Sequence, residues 1–226
     1  MFGPGRLELL KQAMAAPKSY KKRAYWIMAT IDKRRIGSTS LTVSEIGFGG
    51  AAIGNLYTPI SDNDASAAVR VAYDAGISYF DTAPLYGYGL SEHRLGTALR
   101  SVDRDSFVLS TKIGRMLRPT PAAEIDPGIF PGCLPFAPFF DYSYDAANRS
   151  IEDSLQRLGF DRIDIVLIHD VDVWTHGAQE AADDRFREVM SEKGGYRALT
   201  DLRDAGVIKA IGCGVNEWEA CEKFAR

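Results

Sequence analysis

Ile163-Asp164-Ile165-Val166-Leu167-Ile168-His169 is a run of β-branched and leucine side chains closed by an imidazole. A strand that is apolar at nearly every position has both faces covered, as in parallel sheets packed between helices. Working outward, residues 146–158 and 196–205 carry apolar side chains at helical spacing, so the run is flanked by a helix on each side. The same alternation extends upstream. Strands are expected at 45–49, 78–81, 107–111, 163–168 and 208–212. A helix is expected from the capping run Ser61-Asp62-Asn63-Asp64 to the stop at Gly76, and another at 91–99. Residues 33–36 and 41–43, around the turn Gly37-Ser38-Thr39-Ser40, predict a small hairpin before the main fold.

Alternating strands and helices leave two parallel architectures open, the doubly wound sheet and the barrel. Chemically capable residues stand at or just past the C-terminal ends of successive strands: Asp81, Lys112, His169 and Asn216. Barrels build their sites on that face. A dinucleotide fold would instead want a G-x-G-x-x-G fingerprint between its first strand and helix, which Gly47-Phe48-Gly49-Gly50-Ala51-Ala52-Ile53-Gly54 does not complete. The fold class read from the chain is therefore α/β, a TIM-type (β/α)8 parallel barrel of which about five of eight strand-helix units are present. Two insertions interrupt the rhythm. Residues 113–142, rich in proline and aromatics, predict a long ordered loop or lid on the catalytic face; the aromatics either wall a substrate pocket or anchor the loop. Residues 170–195 predict a short helix around 179–190, with no chemical role assigned.

Composition narrows the class of function. With 226 residues and 46% apolar side chains the chain fills one core without disulfides. A net charge of −3 gives no reason to expect nucleic acid or an anionic membrane as partner, and small molecules are expected instead. Residues 1–27 differ from the rest: six basic residues against Glu8 alone give this extension a charge of +5, leaving −8 elsewhere. It contains no apolar stretch with a small-residue cleavage site, so no secretory signal is expected, and Met28 suggests a second natural start. The division expected is a flexible, dispensable basic extension at 1–27 and a partial barrel domain at 28–226. No apolar run approaches the roughly 20 residues that span a bilayer. Cys133, Cys213 and Cys221 are odd in number and lack metal-ligand spacing, so they are read as structural or incidental thiols of a reducing cytoplasm.

The strand-end residues define a proton-transfer chemistry without a metal. Asp81-Thr82-Ala83-Pro84-Leu85-Tyr86-Gly87 places a carboxylate at a strand end and a phenol five residues on. A tyrosine with a pKa near 10 exchanges protons usefully at neutral pH when a nearby cation favours its phenolate. Lys112 is the candidate cation, Asp81 is placed to be its partner, and His169 offers an imidazole to polarise a carbonyl or hydroxyl oxygen. Singly, each residue has a plainer reading as a cap, a surface lysine, a core histidine or a rim aromatic. What sets them apart is their occurrence at the ends of three consecutive strands together with the motifs around them, which resemble those of a known family.

The stretch from Asp81 to Glu92, together with Ser110-Thr111-Lys112 and Leu167-Ile168-His169, resembles the signature motifs of the aldo-keto reductases. Phe140 to Asp145, Arg149 to Leu155 and Gly214-Val215-Asn216-Glu217-Trp218 resemble the branch of D-threo-aldose 1-dehydrogenases, including L-fucose dehydrogenases, and pyridoxal 4-dehydrogenases. The resemblance covers about residues 32–226. It implies a catalytic tetrad of Asp81, Tyr86, Lys112 and His169, an NAD or NADP cofactor held in part by Asn216 and Asp81, and a sugar or aldehyde substrate. In that mechanism Tyr86 exchanges the substrate proton while hydride passes between the anomeric carbon and the nicotinamide. The resemblance also implies three further barrel units, so the chain is expected to be a C-terminally truncated barrel. Two readings follow. One is an oxidoreductase of which the 226 residues are a fragment with the tetrad intact, expected to be inactive by itself, and the other is a non-catalytic remnant that is inactive or acts only by associating with another chain.

Overall fold

The computed structural model describes residues 31–225, so the expectations for residues 1–27 lie outside the described residues. In chain order the strands are β1 (Lys33–Arg35), β2 (Thr42–Ser44), β3 (Phe48–Gly49), β4 (Tyr79–Asp81), β5 (Val108–Ile113), β6 (Arg115–Pro119), β7 (Phe136–Phe140), β8 (Ile165–His169) and β9 (Ala210–Gly214). The helices are α1 (Asp62–Asp74), α2 (Leu90–Leu99), α3 (Tyr144–Leu158), α4 (Val173–His176), α5 (Gln179–Met190), α6 (Gly195–Asp204) and α7 (Trp218–Ala225). Five strands pair in parallel in the order β3-β4-β5-β8-β9. This is the expected sheet, an incomplete barrel with β3 and β9 at its two ends.

Register explains how one sheet carries both a core and a site. Asp81 lies opposite Ser110, Lys112 opposite Leu167 and His169 opposite Gly214, and residues opposite one another in a ladder share a face. Tyr79, Asp81, Ser110, Lys112, Leu167, His169 and Gly214 therefore share the inner face. The alternate residues Phe80, Leu109, Ile113, Val166 and Ile168 form one buried cluster with Val69, Leu95, Leu99, Ile151, Leu158 and Leu199 of the helices. Each such fully buried side chain contributes on the order of 1.5–3 kcal/mol. At the N-terminal end of the inner face Val108, Ile165 and Ala210 pack with Leu41 and Val43, so the β1–β2 hairpin closes that end with apolar side chains. Polar chemistry is left to the opposite end.

Local signals place the helices. Ser61 accepts a hydrogen bond from the Asp64 amide at 3.1 Å and Ser143 one from the Ala146 amide at 3.3 Å, each satisfying a donor at its helix start. α3 ends at Gly159 in a left-handed conformation, whose amide closes on the Leu155 carbonyl.

The boundaries depart from the sequence expectation in an instructive way. β8 and β9 begin two residues later than expected because Ile163 and Ile208 are buried in the core ahead of the ladders. β5 runs to Ile113, so Lys112 sits within the strand and not beyond it. The strand expected at 45–49 shrinks to Phe48–Gly49, since Ile46 turns outward and is 62% exposed. Residues 113–142 are not a plain loop: β6 and β7 form an antiparallel hairpin with Arg115 opposite Phe140 and Pro119 opposite Phe136. β7 pairs with β6 alone, and Pro138 is accommodated on such an edge. The helix expected near 179–190 is α5, and the short α4 before it was not anticipated. No described helix is long and apolar enough to cross a membrane.

Candidate active site

The turn after β4 carries Tyr86 over the mouth of the barrel, and a glycine sets how close it comes. A Cβ on Gly54 would lie 2.7 Å from the Tyr86 carbonyl carbon and 2.9 Å from its oxygen. The glycine-rich stretch before α1 thus serves backbone packing beneath Tyr86. Below this turn, Lys112 is 4% exposed, and a buried ammonium requires acceptors. Its Nζ donates to Asp81 Oδ2 at 2.6 Å and to the Thr82 carbonyl at 2.8 Å. Ser110 Oγ donates to the other carboxylate oxygen of Asp81 at 2.6 Å and so fixes the carboxylate plane. Lys112 Nζ also lies 4.8 Å from the centre of the Tyr86 ring, and His169 meets that ring edge-on, centroid to centroid at 5.8 Å. Asp81, Tyr86, Lys112, His169 and Asn216 all line one cavity of about 440 Å³, so all five residues singled out in the sequence converge.

The electrostatics follow from burial. Desolvation raises the Tyr86 phenol above its usual pKa of 10; Lys112 pulls it down and Asp81 up, and the net shift is upward. The cation expected from the sequence is present, but burial outweighs it, and the phenol is protonated at neutral pH. Burial alone would lower the pKa of Lys112, yet Asp81 and Tyr86 overcome it and the ammonium is held above its usual value. His169 is driven well below 6.5 by burial, reinforced by Lys112 and Arg115, and is neutral. Its Nδ1 is buried without a hydrogen-bond partner among the described residues, and its Nε2 is 3.5 Å from Asp170 Oδ1. The arrangement offers a protonated phenol beside a cation and a neutral imidazole: a donor pair for an oxygen that gains or loses a proton.

Sequence reasoning named Arg115 and Tyr142 only as lid residues that bear on the substrate pocket, and missed that they help to hold His169. Tyr142, fully buried, donates its hydroxyl to the His169 carbonyl at 2.7 Å. Asp170 adopts the left-handed region at φ 55°, which aspartate tolerates better than most residues, and takes two hydrogen bonds from Arg115 at 3.0 and 2.8 Å. The Arg115 guanidinium in turn lies 4.0 Å from the centre of the Phe140 ring. The hairpin of β6 and β7 is thereby tied to the strand end that carries His169. The lid aromatics act as anchors where their contacts are clear: Phe130 packs on Tyr86 and Tyr88, and Phe140 on Tyr142, His176 and Arg115. Asn216 lies just past β9, its side-chain Nδ2 donating to Asp172 Oδ2 at 3.2 Å and to Asp170 Oδ1 at 3.4 Å. The one available signal for this second layer was the charged residue directly after His169.

Comparison with known proteins identifies the family of the chain. The sequence pattern of the Aldo/keto reductase family matches residues 45–226. The chain is 45% identical over 198 residues to a pyridoxal 4-dehydrogenase of Microbacterium luteolum, covering 83% of this chain and 56% of that protein. It is 38% identical over 199 residues to a D-threo-aldose 1-dehydrogenase of a Pseudomonas species, covering 84% of this chain and 55% of that protein. The chain thus spans about half the length of these curated relatives. An aldo-keto reductase from Bacillus halodurans, solved in its holo form, superposes with a TM-score of 0.62 at 26% identity, over 86% of this chain and 53% of that one. The chain belongs to the aldo/keto reductase family.

Proposed function

We propose that the protein is an NAD- or NADP-dependent oxidoreductase that interconverts an alcohol and a carbonyl on a sugar, an aldehyde or pyridoxal. The observation that carries the proposal is the meeting of Tyr86, Lys112, Asp81 and His169 at one cavity. Family membership and the dehydrogenases among the relatives support it.

A nicotinamide ring fits the residues present. The Asn216 carboxamide stands at the cavity rim, and the buried Nδ1 of His169 lacks a protein partner among the described residues. A bound nicotinamide dinucleotide supplies the hydride chemistry. In the oxidative direction Tyr86 takes the proton from the substrate hydroxyl, at the anomeric carbon if the substrate is an aldose, and the product is then a lactone. In the reductive direction Tyr86 gives its proton to the carbonyl oxygen. Lys112 stabilises the phenolate, Asp81 keeps Lys112 charged and in place, and neutral His169 donates a hydrogen bond to the reacting oxygen. Asn216 would help to hold the nicotinamide.

Absorbance at 340 nm tests the proposal, with L-fucose, D-arabinose and pyridoxal as substrates and NAD or NADP as acceptor. The 226-residue chain is assayed beside a form lengthened to span its relatives. Turnover in either form with any of these substrates supports the reading, and the substrate that works distinguishes the sugar branch from the pyridoxal branch. No change in absorbance in either form overturns it.

A further inference from the structure

Strand alternation puts Cys213 on the far side of β9 from the cavity. A Cβ on Gly214 would meet Lys112 in the barrel interior, so its neighbour Cys213, opposite Ile168 of the core cluster, faces the helix layer. α7 lies in that layer and presents Cys221. The two sulfurs stand 3.3 Å apart, with Cys213 Sγ–H donating to Cys221 Sγ. Both are free thiols; Cys213 is half-buried and Cys221 is exposed. The separation exceeds the disulfide bond length of about 2.05 Å by little more than 1 Å, a gap that side-chain rotation can close.

We propose that Cys213 and Cys221 form a redox pair, a site of thiol–disulfide exchange with low-molecular-weight disulfides such as oxidised glutathione. The two thiols have different roles. Burial, together with its bond to Cys221, pushes the Cys213 thiol up to about 12, so it is the reserve nucleophile, and the exposed Cys221 is attacked or attacks first. The Cys221 thiolate attacks one sulfur of oxidised glutathione, the glutathione disulfide breaks, and one glutathione thiolate leaves. Cys213 then loses its proton to solvent and attacks the Cys221 sulfur, expelling the second glutathione thiolate. Two protein thiols are oxidised by two electrons, and one glutathione disulfide is reduced to two thiols. The ring so closed runs from 213 to 221 and contains Gly214, Val215 and Asn216 of the cavity wall, tying that wall to α7. In a reducing compartment such a bond is transient, which suits a sensing role and not a structural one. The proposal is independent of catalysis and does not require the 226-residue chain to turn over.

The test uses the full 226-residue chain, reduced and then exposed to oxidised glutathione under native conditions. Free thiols should fall from three to one, the intact mass should drop by two hydrogens, and dithiothreitol should restore both. Cleavage after Glu217 and Glu219 separates the two cysteines, and they should remain linked until reduced. Cys133→Ser should leave the linkage intact, whereas Cys213→Ser should trap a stable glutathione adduct on Cys221. Three titratable thiols after treatment, a linkage through Cys133, or linkage only after unfolding in guanidinium would each overturn the proposal.

Discussion

Lys112 shows most plainly how single residues build this site. It is a buried ammonium whose two recorded acceptors are the Asp81 carboxylate and the Thr82 carbonyl. Removing one partner of a buried pair costs about 3–5 kcal/mol, because the other charge is stranded. Asp81→Asn strands the fully desolvated partner, while Lys112→Met leaves a carboxylate that is partly exposed and still bonded to Ser110. Urea unfolding should therefore find Asp81→Asn the more destabilised of the two; the reverse order would contradict this account of the pair. Tyr86 makes a second prediction. Because burial raises its pKa above 10, the phenolate is scarce at neutral pH, and oxidative turnover should rise by about tenfold per pH unit through that range. A flat rate profile between pH 6.5 and 8.5 would count against Tyr86 as the base. Asp81, Lys112 and His169 were legible because strand ends can be read from apolar runs, and the roles of Tyr86 and Asn216 from the motifs that carry the family resemblance. The supporting roles of Arg115, Tyr142 and Asp170 were not, because their contacts link positions 115 to 170 and 142 to 169, which no local pattern encodes.

At the scale of elements, the segment before α1 and the turn after β4 work as one unit. Gly54 lets the two backbones touch, and any side chain there must push Tyr86 away or break the contact. Gly54→Ala should cost about 1–3 kcal/mol by overpacking and lower activity more than that loss of stability explains. Thermal unfolding and 340 nm rates on the same preparation check both, and wild-type values for the two would contradict the arrangement. β5 and β8 were readable because each is a buried apolar run, and the alternation of strands with helices placed the others. The hairpin of β6 and β7 was not, since Pro119, Pro135 and Pro138 give it the composition of a loop, and its pairing comes from contact between segments some twenty residues apart. Its anchoring contacts, Arg115 on Phe140 and on Asp170, make it part of the site's support.

At the scale of the whole molecule, all three histidines have lowered pKa values, each chiefly through burial. A histidine whose folded pKa lies below its unfolded value near 6.5 binds protons more readily in the unfolded state. Stability is then retained above pH 6.5 and falls as the pH drops below it. His169, fully buried, should contribute a slope of up to about 1.4 kcal/mol per pH unit in that window. Asp170, raised by burial, acts in the opposite sense nearer the carboxylate range. Urea unfolding at pH 7.5 and 5.5 should show lower stability at 5.5, and equal or greater stability there would contradict the burial of a neutral His169. The central claim is that Tyr86 moves the substrate proton in a nicotinamide-dependent reaction. The most direct test is the 340 nm turnover of Tyr86→Phe beside the wild type, in the form of the protein that turns over. The account predicts a fall in kcat of roughly 10²-fold or more with the fold retained; a Tyr86→Phe protein with wild-type kcat would contradict it.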